Sequence, residues 1–225
     1  MAHSNHSSAS SHGSLSGFPE EDLRVGGRRN VGYFPAWLGQ SFLDGKCIVV
    51  RKLGWGRYSS VWLARDMELV IGITTVHART DPSWARLDRY SALKLLTVEA
   101  TSAMNAKELD EEGLLQHISK SRKEVHHPGA AHVLSLFDTF RFTGPLGEHL
   151  CLVTEALGFD LNFFRRAQPD SKVSIPIVKR IVRQILLGLD FLHIQCGIVH
   201  TGAVARYFLH FQPRCPSFPS RSQAR

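Results

Sequence analysis

The chain has 225 residues, 43% of them hydrophobic, which suffices for one large domain or two small ones with a sizeable core. Its formal net charge is +7, yet residues 1–30 balance to zero and residues 203–225 carry +4, so a basic nucleic-acid face is not required and direct nucleic-acid binding is not expected. Cys47, Cys151, Cys196 and Cys215 are far apart and form no CxxC pair, which argues against a zinc site or a disulfide framework.

No apolar run reaches the roughly 18 residues of a membrane span, and the N-terminus lacks an apolar signal region. No membrane partner is expected, and a reducing intracellular compartment is. The twelve histidines read as loop and tail residues rather than metal ligands.

Residues 1–30 are rich in Ser and His with little to bury, and read as a disordered tail. Order is expected to begin near Tyr33-Phe34-Pro35. The stretch Leu53–Ala64 then carries two glycines one residue apart, Gly54 and Gly56, with Ser59, Val61 and Leu63 after them. Apolar alternation on both sides predicts strand, tight glycine turn, strand, over Cys47–Leu53 and Ser60–Asp66. Glycine there lets backbone approach a ligand and tolerates positive φ. Such a hairpin can offer N–H groups to phosphate oxygens. Taken alone, such a stretch is more often a plain glycine-tipped hairpin than a nucleotide lid.

Residues 67–89 resist assignment and read as a long loop or an insertion. Tyr90–Leu96 alternates and predicts a strand, with Lys94 among apolar neighbours. Thr101–Ile118 predicts a helix through Leu109, Leu114, Leu115 and Ile118. Gly113 weakens it by about 1 kcal/mol relative to Ala. His132–Phe142 and His149–Glu155 predict two more strands, the second a near-continuous apolar run and therefore central. Ala156–Asp160 reads as a connector bent at Gly158, and Leu161–Arg166 as the start of a helix. Pro176–His193 is the clearest helix, with apolar side chains at 178, 181, 182, 185, 186, 189 and 192 and a proline suited to its first turn.

This order of elements and motifs resembles the N-lobe of a eukaryotic protein kinase running into its C-lobe. Gly54-Trp55-Gly56-Arg57-Tyr58-Ser59-Ser60-Val61 resembles the glycine-rich loop, with serine in place of the third glycine. Ala92-Leu93-Lys94 resembles the strand of the phosphate-pairing lysine, and Leu109–Leu115 the following helix, with Glu111 at the lysine's partner position. Leu152–Gly158 resembles the gatekeeper and hinge, and Ile198-Val199-His200-Thr201 the start of the catalytic loop. Arg51–Gly56, Ser60–Leu63, Glu155–Gly158, Gly188–His193 and the lead-in Tyr33–Gly39 look narrower still: they resemble the SR-protein-specific serine/threonine kinases, of fungal type. The resemblance covers roughly Gly32 to Thr201.

It implies an α+β fold: a kinase-like N-lobe with a five-stranded antiparallel sheet and one helix over 31–155, then a hinge and the first helices of an incomplete C-lobe over 156–201. Residues 202–225 would be a basic, non-kinase tail. The implied ATP-binding residues are Leu53, Gly54, Gly56, Ser59, Val61, Ala92, Lys94, Glu111, Glu155 and Leu157. Lys94 would hold the α/β-phosphates, oriented by Glu111. Val61 and Ala92 would cover one adenine face. The Glu155 carbonyl and Leu157 N–H would meet the adenine edge. The family also implies Mg2+, Arg/Ser-rich splicing proteins as substrates, and residence in cytoplasm and nucleus.

The resemblance breaks at Gly202, which stands where the family carries the aspartate that accepts the substrate hydroxyl proton. Glycine does no proton chemistry. Residues 203–225 contain no Asp, Glu, Asn or Lys, so the metal-binding asparagine and the Asp-Phe-Gly aspartate find no counterpart there. The expectation is a catalytically incomplete chain with no catalytic or metal ligands of its own. An intron retained inside an aspartate codon would give glycine at 202, so a mis-spliced product is one alternative. A non-catalytic nucleotide-binding or decoy module is another.

Overall fold

The computed structural model describes residues 21, 23, 31–67, 90–158 and 160–199. The expectations for the N-terminal tail, for most of 67–89, and for His200, Thr201, Gly202 and the basic tail lie outside these residues. No helix among the described residues is long and apolar enough to cross a membrane.

The fold is α+β, built on one antiparallel sheet. Its strands are β1 (Ser41–Phe42), β2 (Cys47–Gly56), β3 (Ser59–Asp66), β4 (Tyr90–Leu96), β5 (Leu136–Gly144) and β6 (Gly147–Glu155). The order across the sheet is β1-β2-β3-β4-β6-β5. The sixth strand is the two-residue β1, too short to leave an alternation in the sequence. β6 lies between β4 and β5, and its apolar run is buried on both faces from His149 to Thr154.

The glycine stretch differs from its expectation in one respect. Gly54 and Gly56 lie within β2, where they pair with Val61 and Ser59, and the reversal falls on Arg57-Tyr58. Neither glycine adopts positive φ. Leu53 is an extra residue between the Lys52–Trp62 and Gly54–Val61 pairs, so the strand bulges there.

Register divides the side chains between two faces. Trp62, Ala64, Leu93, Leu95, Cys151 and Val153 bury against Phe34 and Phe42 from the N-terminal lead-in. Burial holds the Cys151 thiol pKa well above its ordinary value, with smaller contributions from Cys47 and Asp138. On the opposite face Leu96, Leu150 and Leu152 pack with Ala100. That second cluster seats helix α1 (Val98–Asn105), capped by the Thr97 hydroxyl, which accepts from Ala100 N–H.

The single helix expected over Thr101–Ile118 is two helices. α1 ends at Asn105, Lys107 takes φ +60, and α2 spans Glu111–Glu124. A non-glycine residue in the left-handed region stops a helix. At Gly113 a Cβ would overlap the Asp110 carboxylate, which folds over the first turn of α2.

After the sheet come α3 (Leu161–Arg166), capped by Asp160 accepting from Phe163 N–H at 2.6 Å, and α4 (Ile175–Asp190), which runs on into a π-type turn at Phe191–Gln195. A 3-10 turn at Pro128–His132 packs on α4. At Gly129 a Cβ would overlap the Leu187 carbonyl oxygen, so only glycine fits this crossing. Phe191, Leu192, Cys196, Ala130 and Ile118 form the core of this second half.

Candidate functional site

Antiparallel register sets the site. Gly54 pairs with Val61, Val61 with Lys94 and Lys94 with Leu152, so these residues form one row across the sheet. Leu63, Ala92 and Thr154 form the next row. Because alternate residues share a face, Gly54, Gly56, Ser59, Val61, Ala92 and Lys94 all belong to the side that carries α1. The structure therefore brings most of the sequence-proposed residues onto one face.

Lys94 Nζ lies 2.5 Å from Glu111 Oε1 in the first turn of α2. Both side chains are partly exposed, at 31% and 41%. The lysine is thus held while part of its side chain stays accessible. α2 is fixed by contacts beyond the sheet. The Arg122 guanidinium donates to the Ser135 hydroxyl and the Val133 carbonyl, and His117 Nε2 meets the Cys196 carbonyl oxygen at 2.9 Å. Arg141 binds Glu112 at 3.0 Å, tying α2 to β5 as well.

Above Lys94 the two glycines leave room. A Cβ built on Gly54 or Gly56 meets nothing within 4 Å. Room beside the two glycines and a held cation on the same face suit an anion. Ser59, the residue in the third-glycine position, is buried and pairs with Leu96. Val61 and Ala92 supply an apolar surface beside the lysine, and Leu53 is partly exposed at the bulge.

Glu155 ends β6 and pairs with Ser91, one row beyond Ala92–Thr154, and Leu157 follows after the strand. The Glu155 carboxylate accepts from Ser135 N–H at 2.7 Å, and its own N–H donates to the Ser135 carbonyl at 3.1 Å. The Thr154 hydroxyl donates to the Glu155 carbonyl at 3.3 Å. That carbonyl has a second lone pair for another donor. Leu157 is exposed.

Among the described residues no three His, Cys, Asp or Glu side chains gather as a metal site. A cavity of about 190 Å³ bordered by Cys47, Asp66, Ser91, Asp138 and Val153 lies on the other face and does not include Lys94.

The sequence reading missed Tyr33. Its hydroxyl lies 2.7 Å from the Gly56 carbonyl and 3.0 Å from the Arg57 carbonyl, at the tip of the glycine hairpin. A separation of more than twenty residues leaves no local pattern, and only its place in an aromatic lead-in marked it.

No family model matches the chain. Individual relatives do. It is 36% identical over 174 residues to the serine/threonine-protein kinase SKY1 of Saccharomyces cerevisiae, covering 77% of this chain and 21% of that protein. It is 36% identical over 181 residues to the protein kinase dsk1 of Schizosaccharomyces pombe, covering 80% and 28%. With SRSF protein kinase 3 of Mus musculus the identity is 35% over 170 residues, covering 76% and 26%. The match thus spans between about a fifth and three tenths of the length of these relatives.

Proposed function

The chain is a relative of the SR-protein-kinase type of protein serine/threonine kinase, and from that premise we propose that it binds ATP on the Lys94 face without transferring the phosphoryl group. The observation that carries this reading is the Lys94–Glu111 pair set below the open space at Gly54 and Gly56. Lys94 Nζ binds phosphate oxygens, and Glu111 holds it in place. Val61 and Ala92 pack on one side of the adenine. The Glu155 carbonyl accepts from the adenine amine, and the Leu157 N–H donates to the ring. Leu53 closes over the base, and Ser59 keeps the strand after the turn seated in the sheet.

Phosphoryl transfer needs a group to orient the nucleophile and take its proton. Gly202 stands at that position and has none to offer. In this reading the chain is an N-lobe with a hinge and the start of a C-lobe. Its protein partners, by kinship, are Arg/Ser-rich splicing factors met in cytoplasm and nucleus.

Nucleotide titration of the full chain tests the binding half, with saturable ATP binding expected in the wild type. A phosphorylation assay on an Arg/Ser-repeat peptide tests the other half, with no turnover expected; turnover that disappears in Lys94→Met would sink it. Sequencing the transcript across codon 202 decides between an encoded glycine and a retained intron.

A further inference from the structure

The glycine hairpin is gripped from behind. Trp55 pairs with Ser60 and Ser60 with Leu95, which puts Trp55 on the face opposite Lys94. The Tyr33 ring meets Trp55 edge-on, with centroids 6.3 Å apart, and is itself buried. Its hydroxyl reaches the carbonyl oxygens of both Gly56 and Arg57. A third tip carbonyl, that of Tyr58, accepts from Thr97 N–H at 2.9 Å.

The segment that delivers Tyr33 is itself tied down. The Gly32 carbonyl accepts from Val98 N–H at 2.9 Å and the Val31 carbonyl from Glu99 N–H at 3.2 Å, at the start of α1. Gly32 has φ +73, and a Cβ there would press on Val98, so the approach depends on glycine. Burial, aided by the Glu21 carboxylate, raises the Tyr33 pKa, which keeps its proton available for donation.

In a trans peptide the C=O and N–H point to opposite sides of the chain. Holding the carbonyls of Gly56 and Arg57 therefore fixes the N–H groups of Arg57 and Tyr58 pointing away from Tyr33. We propose that Tyr33 is a positioning residue for phosphate recognition: it orients the amides at the hairpin tip from the face opposite Lys94. This rests on the reading of the Lys94 face as a nucleotide site. Tyr33 touches no nucleotide itself and acts only through the backbone it holds.

The test is Tyr33→Phe in the full chain, which keeps the ring against Trp55 and removes only the hydroxyl. Without nucleotide, the 15N order parameters of the Arg57 and Tyr58 amides should fall from the rigid range of about 0.85 toward about 0.6, while those of β4 stay unchanged. With nucleotide, ATP affinity should drop about fivefold, the size of one lost hydrogen bond, and adenosine affinity should not change. Unchanged order parameters at the tip, or equal losses for ATP and adenosine, overturn the proposal. A wild-type chain that binds neither ligand overturns the nucleotide reading beneath it, and the proposal falls with it.

Discussion

Lys94 on β4 and Glu111 at the start of α2 are 17 positions apart in sequence and 2.5 Å apart in space. An ion pair this exposed contributes only about 0–1 kcal/mol to stability. Its value lies in where it holds the ammonium. Lys94→Met should therefore leave the melting temperature within a few degrees of wild type and weaken ATP binding about tenfold or more. Glu111→Gln should weaken it less, because the cation remains but is no longer held. Calorimetric titration alongside thermal unfolding checks both. A large loss of melting temperature with ATP binding intact would falsify the assignment.

The glycines permit a second separation of stability from binding. A Cβ on Gly56 meets nothing within 4 Å, and the residue lies in a strand. Gly56→Val should not destabilise the sheet, since β-branched residues favour strands. It would fill the open space proposed for phosphate. Unchanged or higher melting temperature with about tenfold weaker ATP binding is expected. If ATP binds Gly56→Val as well as wild type, the hairpin is only a hairpin.

Gly129 contrasts with these. A Cβ there would overlap the Leu187 carbonyl, which is backbone and cannot rotate aside. Gly129→Ala should cost about 1–3 kcal/mol, as overpacking does, and loosen the 3-10 turn from α4. Urea unfolding of the full chain measures it. A neutral result would mean that the crossing is wider than described.

Sheet and helix were unequally legible in the sequence. Alternation at Ile48, Val50, Val61 and Leu63 marked β2 and β3, although these side chains are only half-buried and the buried face is that of Cys47, Val49, Trp62 and Ala64. The break between α1 and α2 was hidden. Apolar positions continue in helical phase through Leu109, while the stop comes from Lys107, a residue type that does not ordinarily mark one. Lys94 and Glu111 were found through motif order, since neither stands out by periodicity. The grip of Tyr33 on the hairpin could not be read, because its partners are backbone carbonyls, which leave no trace in side-chain identity.

His149 makes stability depend on pH. It is fully buried against Phe34 and Phe142, with Nδ1 2.8 Å from the Leu96 carbonyl and Nε2 without a hydrogen-bond partner. Burial lowers its pKa below the ordinary 6.5, and the Leu96 bond opposes this only in part. The folded chain thus holds the neutral ring, and below pH 6.5 the unfolded chain binds the extra proton. Stability should be full above that pH and decline as pH falls through 6.5 toward the lowered folded value. In His149→Gln the decline as pH falls below 6.5 should be shallower than in the wild type. An equal slope in both proteins would exclude His149 as its source.

Helix α4 leaves Ile175, Val178, Val182 and Leu186 exposed, and Ile194 and Val199 follow beyond it. Spacings of three and four residues place the first four in one stripe. Among the described residues nothing covers it. A contiguous apolar patch of this kind promotes association. The full chain should run larger than a monomer by light scattering, and Val182→Glu with Leu186→Lys should shift it toward monomer. A monodisperse wild-type monomer would count against this.

The interruption at Lys107 gives the two helices different allegiances. α1 is seated on the sheet through Ala100, whereas α2 is bound to the helical half through His117 and to the segment before β5 through Arg122. α2 also touches the sheet, through Leu115 against the Leu96, Leu150 and Leu152 cluster and through the Arg141–Glu112 pair, so the carboxylate partner of Lys94 sits where sheet and helical half meet. The Lys94–Glu111 contact thus draws on both halves at once: the lysine comes from the sheet, and the carboxylate from a helix that the other half also holds.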